Sequence, residues 1–227
     1  LDLAGSPGLV RRLGGEMPGL VHVVDDDASF RTAIERRLRH AGYQVETHSS
    51  AQHLLDCLPG DDEMPGCILL DVQMPGLSGL ELQNRLVELG SILPIVFVTG
   101  HSDIPTTVRA IKAGAEDFLT KPIPSEQMIG AIERALARCD LARSQQTDLD
   151  SFLALVATLT PRERQVFNLI VRGKMNKQIA NDLGTTERTV KAHRHQVMEK
   201  LQAHSLAELV SRAVRMGVLL PDTNSGK

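Results

Sequence analysis

The hydrophobic pattern of the chain has two regimes. From residue 20, apolar-rich runs of four to six residues at 20–24, 67–70, 94–99 and 117–120 are each followed by a segment whose apolar positions recur at helical spacing. A weaker strand at 44–47 fits between the first two runs. The accompanying helices are expected at 28–40, 51–58, 78–89, 104–113 and 125–142. Strict alternation of short strands with amphipathic helices implies right-handed crossovers and a five-stranded parallel sheet, doubly wound and covered on both faces. In such sheets ligands bind at the carboxyl ends of the strands. Residues 1–19, rich in Gly and Pro and without periodicity, read as a flexible tail.

After 142 the pattern changes. Residues 143–157 are polar and then turn apolar at Phe152 to Val156, which suggests an interdomain linker with partial helix. Thr160-Pro161-Arg162-Glu163 supplies an N-cap hydroxyl, a first-turn proline and a Glu at N3, so a helix opens there and ends at Gly173. Asn176 is positioned to cap a second helix, 177–183, that Gly184 terminates. Thr185 or Thr186 caps a third, running to about Leu201, and a fourth spans 206–215. Short helix, tight turn and longer helix within a small all-α, four-helix domain (158–222) is helix-turn-helix spacing.

Charge separates the same two regions. Residues 1–157 carry 13 Lys and Arg against 22 Asp and Glu, whereas 158–222 carry 11 against 6. An acidic module is joined to a basic one, and basic surface favours polyanions. Aromatic residues are 3% of the chain and Trp is absent, which argues against a stacking platform for single strands and leaves duplex as the expected nucleic acid. No apolar run approaches the roughly 20 residues of a membrane span, and no apolar segment follows Arg11 and Arg12, so no membrane partner and a cytoplasmic address are expected. Cys57, Cys67 and Cys139 are odd in number without CxxC spacing, fitting buried free thiols.

The strand ends carry the chemistry. Asp25 and Asp26 follow the first strand, Asp71 the third, Thr99 the fourth and Lys121 the fifth. Carboxylates gathered at one sheet edge repel one another, and a hard divalent cation such as Mg²⁺ is their natural compensation. With a hydroxyl and an ammonium at the same edge, the set suits phosphoryl transfer with Asp71 as nucleophile. In the second module, Val190, Val197 and Leu201 fall within about 40° of one another on a helical wheel. The opposite face gathers Arg188, Lys191, Ala192 and His195, a cationic face with one small residue that suits a major groove. His193 lies near the apolar seam and reads as structural; paired with His195 it has no third metal ligand nearby.

Residues 20–140 resemble the receiver domains of two-component response regulators, which have a flavodoxin-like fold. The resemblance rests on Val-Val-Asp-Asp-Asp, on Leu-Leu-Asp-Val-Gln-Met-Pro-Gly around Asp71, on Val-Thr-Gly-His at Thr99 and on Phe-Leu-Thr-Lys-Pro at Lys121. It implies phosphorylation of Asp71 by a histidine kinase, with Mg²⁺ held by Asp25, Asp26, Asp71 and the carbonyl of Gln73. It further implies that Thr99 and Phe118 form a switch, that Lys121 pairs with the phosphate, that the Lys121-Pro122 bond is cis, and that Gln73 and His101 gate water. Residues 158–217 resemble the LuxR-type DNA-binding domain of the FixJ and NarL regulators. That likeness is carried by Leu-Thr-Pro-Arg-Glu-Arg (159–164), Asn-Lys-Gln-Ile-Ala (176–180), Thr-Val-Lys-Ala-His (189–193) and Lys-Leu (200–201), with Met175 where a smaller residue or Pro is commoner. Lys191, Ala192 and His195 would read bases, and Lys177, Arg188 and Arg194 would contact phosphates. Dimerisation through a surface including Val108 and Lys112, and RNA polymerase as a partner, follow from the same resemblance. A Mg²⁺-dependent aspartyl phosphatase would need a second Asp two residues after the nucleophile, where Gln73 stands, so turnover as an enzyme is not expected. A constitutive DNA binder with the receiver as platform is the other alternative.

Overall fold

The structure, a computed structural model, describes residues 19–58, 64–100 and 104–217. The expected tail, apart from Gly19, and His101 lie outside the described residues. Five strands, β1 (Leu20–Val24), β2 (Gln44–His48), β3 (Gly66–Asp71), β4 (Ile95–Thr99) and β5 (Asp117–Thr120), form one parallel sheet in the order β2-β1-β3-β4-β5. The intervening helices are α1 (Ala28–His40), α2 (Ala51–Cys57), α3 (Gly79–Glu88) and α4 (Ile104–Lys112), with α5 following β5. The fold is therefore the doubly wound one that the alternation implies.

Alternate residues of each central strand face opposite cores. On β3 and β4, Cys67, Leu69, Val96 and Val98 join one apolar cluster with Ile34, Leu38, Ile132 and Ala135, while Ile68, Leu70, Ile95 and Phe97 join the other with Leu54 and Leu82. Burial on both faces explains why these strands read as continuous apolar runs. β1 departs from this. His22, 1% exposed, is polar within an apolar strand, and it meets the equally buried His48 of β2 with their ring nitrogens 3.3 Å apart. Burial, together with His22 and His53, pushes His48 down to about 4.

The helix termini follow local chemistry. Asp27 caps α1 by accepting from the amides of Ser29 and Phe30, Ser50 caps α2, and Ser78 forms a capping box with Glu81 at α3. Cys67 and Cys139 are buried, but Cys57 is exposed, because α2 buries Ala51 and Leu54 and turns Cys57 to solvent.

One element differs in extent from its expectation. The helix expected at 125–142 continues as α5 (Ser125–Ala157), so the polar segment 143–157 is helix throughout. No Gly or Pro falls within residues 143–157, and the Gln146 amide donates to Asp150 one turn on at 3.0 Å. Its apolar end is core: Phe152 and Val156 pack with Val166, Phe167, Ile170, Ile179, Val190, Val197, Leu201 and Leu209.

The chain divides into two units, the boundary falling between Arg143 and Ser144. The second unit adds α6 (Pro161–Val171), α7 (Asn176–Asp182), α8 (Glu187–Lys200) and α9 (Leu206–Arg215). Thr160 makes the expected capping box with Glu163, and Thr186 caps α8. Asn176 corrects an expectation. It is the first residue of α7 rather than its cap, and its side-chain oxygen instead accepts from Arg194 at 2.7 Å. The amide of Met175, at the cap position, is satisfied by the Gln178 side chain at 2.9 Å. No helix among the described residues is long and apolar enough to cross a membrane.

Candidate functional site

Parallel pairing brings β1, β3, β4 and β5 to a common carboxyl edge, and the three consecutive aspartates after β1 divide their work there. Asp27 is spent on capping α1. Asp25 turns inward, 1% exposed, its Oδ1 accepting the Asp27 amide at 2.8 Å, while Asp26 is exposed. Together with Asp71 at the end of β3, they place three carboxylates whose oxygens lie within 4.8 Å of one another. Lys121, immediately after β5, sends Nζ to Asp25 Oδ2 at 2.5 Å and toward Asp71 Oδ1 at 3.6 Å.

One ammonium cannot balance three carboxylates. On balance the Asp71 carboxyl is pushed up to about 6: burial raises it most, Asp25 and Asp26 add to the rise, and Lys121 and the Val72 amide oppose it. A cluster of hard oxygens with a surplus of negative charge fits a small divalent cation such as Mg²⁺, with Asp25, Asp26 and Asp71 as the residues that would hold it. The exposed Gln73 lies on the loop just after Asp71.

Thr99, 2% exposed, ends β4. The register sets Asp71 beside Val98, so Thr99 is the next residue along, and its carbonyl accepts the Lys121 amide at 2.7 Å. The Lys121-Pro122 bond is cis. Phe118 is half-buried with its ring 6.2 Å from that of Phe97. On α4, Val108 and Lys112 are exposed, as are the neighbouring Ile104 and Ile111.

Three contributors to this edge escape sequence reasoning. The Phe30 ring lies 4.1 Å beneath the Lys121 ammonium, and Arg31 donates to the Asp25 carbonyl at 2.5 Å. Both sit in the first turns of α1, where nothing but tertiary contact distinguishes them from other helix residues. Gly79, the first residue of α3, is pressed against the end of β3: a Cβ there would clash with the Asp71 carbonyl oxygen and stand 3.1 Å from the Phe97 ring. Its signal was only a Gly after a serine cap.

In the second unit, Val190 and Val197 of α8 are fully buried, and Arg188, Lys191, Ala192 and His195 are exposed. Lys177 is exposed on α7. Arg194 stands apart, part-buried and engaged with Asn176, so it ties α8 to the start of α7. Glu163 does similar work at the other end of α8. Its Oε2 accepts from Lys200 Nζ at 2.6 Å as well as from the Thr160 amide at 2.8 Å, and Lys200, followed by Thr160, holds its carboxyl below the ordinary Glu range.

A doubly wound parallel sheet with aspartates, Thr and Lys gathered at its carboxyl edge, followed by a helix-turn-helix unit, defines a receiver-type signalling domain joined to a DNA-binding module. Comparison with known proteins gives the family. Residues 21–133 match the response regulator receiver domain and residues 157–213 match the bacterial regulatory proteins of the luxR family. The transcriptional regulatory protein FixJ of Bradyrhizobium diazoefficiens is 42% identical over 88% of this chain and 97% of its own length. Nodulation protein W of the same organism is 42% identical over 88% of this chain and 87% of its own. Among solved structures, the response regulator StyR aligns with a TM-score of 0.74 at 46% identity, covering 86% of this chain and 98% of StyR. This chain belongs to the two-component response regulators that join a receiver domain to a LuxR-type DNA-binding domain.

Proposed function

We propose that this response regulator is switched by phosphorylation of Asp71 and that the phosphorylated form dimerises and binds an operator. The juxtaposition of Asp25, Asp26, Asp71 and Lys121 carries this reading. A sensor histidine kinase supplies the phosphoryl group: an Asp71 carboxylate oxygen attacks phosphorus, the phosphorus–nitrogen bond of the kinase phosphohistidine breaks, and the imidazole leaves. Asp25, Asp26, Asp71 and the Gln73 carbonyl would hold Mg²⁺, which when bound would neutralise charge on the phosphoryl oxygens. Lys121 then exchanges part of its pairing with the carboxylates for the new phosphate. Thr99 donates to a phosphoryl oxygen, and Phe118 follows its movement.

The readout is local charge made global through a second copy of the chain. Apolar side chains exposed on α4, among them Val108, support a dimer face there, with Lys112 at its margin. Two copies of α8 meet two half-sites of a pseudo-palindromic duplex. Lys191, Ala192 and His195 read bases, and Lys177 and Arg188 contact phosphates. Arg194 acts chiefly by positioning. Bound in the cytoplasm at its operator, the protein is placed to influence RNA polymerase. Gln73 offers no acid or base for phosphatase turnover, so the acyl phosphate is a signal rather than an intermediate.

The test is incubation with Mg²⁺ and acetyl phosphate, followed by intact mass and oligomeric state, for the parent and Asp71→Asn in parallel. A labile phosphate adduct and a shift to dimer, both lost in the variant, are expected. No adduct from any donor or kinase, with DNA binding unchanged in Asp71→Asn, would replace this reading with a constitutive DNA binder; steady phosphate release would replace it with a phosphatase.

A further inference from the structure

A second cluster of metal-ligating side chains lies at the outer edge of the receiver sheet, on residues that the phosphoacceptor site does not use. β2 ends in His48, which is 3% exposed. Its Nε2 faces inward, 3.3 Å from His22 Nδ1 and 4.0 Å from Glu46 Oε2. Its Nδ1 is buried and has no hydrogen-bond partner among the described residues. Leaving a ring nitrogen desolvated and unsatisfied is unfavourable, and such an atom asks for a ligand.

α2 begins three residues later and brings candidates. His53 and Cys57 stand four residues apart on one face of the helix, both exposed. The His53 ring lies edge-on to that of His48 with centroids 5.2 Å apart. Ligating atoms of His48, His53 and Cys57 lie within 4.8 Å of one another. Tetrahedral zinc with bonds of about 2.0–2.1 Å to nitrogen and about 2.3 Å to sulfur places its ligands roughly 3.3–3.6 Å apart. The set therefore needs a closure of about an ångström, within reach of two exposed side chains on a helix face.

We propose that His48, His53 and Cys57 form a zinc site, with the fourth position open to water. Two imidazoles and one thiolate are a donor set for a thiophilic ion rather than for Mg²⁺, which separates this site from the acidic pocket. Cys57 surrenders its thiol proton as the sulfur–zinc bond forms, so one proton is released per ion bound. The exposed fourth position and the two solvent-facing ligands make it an exchangeable site. Its position gives it reach: the His48 carbonyl accepts the Asp25 amide at 3.2 Å, so an ion here fastens α2 to the strand end beside the acidic pocket.

The full chain, reduced and in millimolar Mg²⁺, is titrated with Zn²⁺ against a chromogenic chelator, and in parallel with Co²⁺ as a spectroscopic probe. One ion per chain, a thiolate-to-cobalt charge-transfer band in the near ultraviolet, and a thermal midpoint that rises with Zn²⁺ are expected. Cys57→Ser should abolish the band, and His53→Gln should weaken binding at least tenfold. Both variants are exposed-site changes whose metal-free thermal midpoints should match the parent, and the His48 imidazole signals of the parent should shift at Zn²⁺ concentrations that leave those of the variants unmoved. Binding retained undiminished in both variants would move the ion to other ligands such as the acidic pocket and overturn the proposal. Absence of binding at micromolar Zn²⁺ would overturn it equally.

Discussion

Single residues at the carboxyl edge have roles that burial and contact make distinct. Gly79 carries no functional group, yet its missing side chain lets α3 start against the Asp71 carbonyl. Gly79→Ala should destabilise the receiver by about 1–3 kcal/mol, as overpacking does, and, on the proposed function, should slow acetyl phosphate labelling because the end of β3 must yield. Calorimetry and intact mass report the two effects separately. Glu163 is the corresponding residue of the second unit. Its carboxyl titrates lower when folded than when unfolded, so its contribution to stability is fully present above the ordinary Glu value of roughly 4.3 and is lost as pH falls through the lower folded value. Glu163→Gln preserves the cap to Thr160 but not the charge facing Lys200. The difference in thermal midpoint between parent and variant should therefore be largest near neutrality and shrink to nothing in acid.

The informative element is α5. Reading 143–157 as a linker followed from its polar first half, where Arg143 to Asp148 include no apolar residue. Helix persistence there depends on the absence of breakers and on what the far end packs against, and the second factor is not local. Phe152 is fully buried beside Phe167, with ring centroids 6.4 Å apart and the Arg212 guanidinium 4.7 Å over its ring. Phe152→Ala should cost about 3–5 kcal/mol, seen as a lowered calorimetric transition of the DNA-binding unit with the receiver transition unmoved. A true linker residue would move neither. The swap at α7, where Asn176 forsakes capping for Arg194, has the same origin: a competing partner from another helix outweighs a local preference.

For the whole molecule, the prediction concerns charge. An acidic receiver joined to a basic DNA-binding unit confines attraction for duplex to the second unit, where α8 presents its cations. Arg188→Ala should weaken binding to all duplexes alike and reduce the slope of log K against log salt by about 0.9 for each phosphate that is no longer neutralised. Lys191→Ala should instead cost about 1–3 kcal/mol on the operator and relax preference at one base position. Fluorescence anisotropy with operator and scrambled duplex across a salt series separates the two.

Periodicity and strand-end residues were enough to read five βα units, the positions of Asp25, Asp26, Asp71, Thr99 and Lys121, and the apolar seam of α8, because each depends on local pattern and on a topology with few alternatives. Contact between distant segments determined the rest: which of three adjacent aspartates caps a helix and which turns inward, how Phe30 and Arg31 reach the site, that Phe152 belongs to a core, and that His48, His53 and Cys57 converge. Local preferences act over a turn or two of chain and are written in order along it. Burial and pairing across dozens of residues are properties of the packed molecule, and they prevail where the two compete because desolvation acts on the whole side chain.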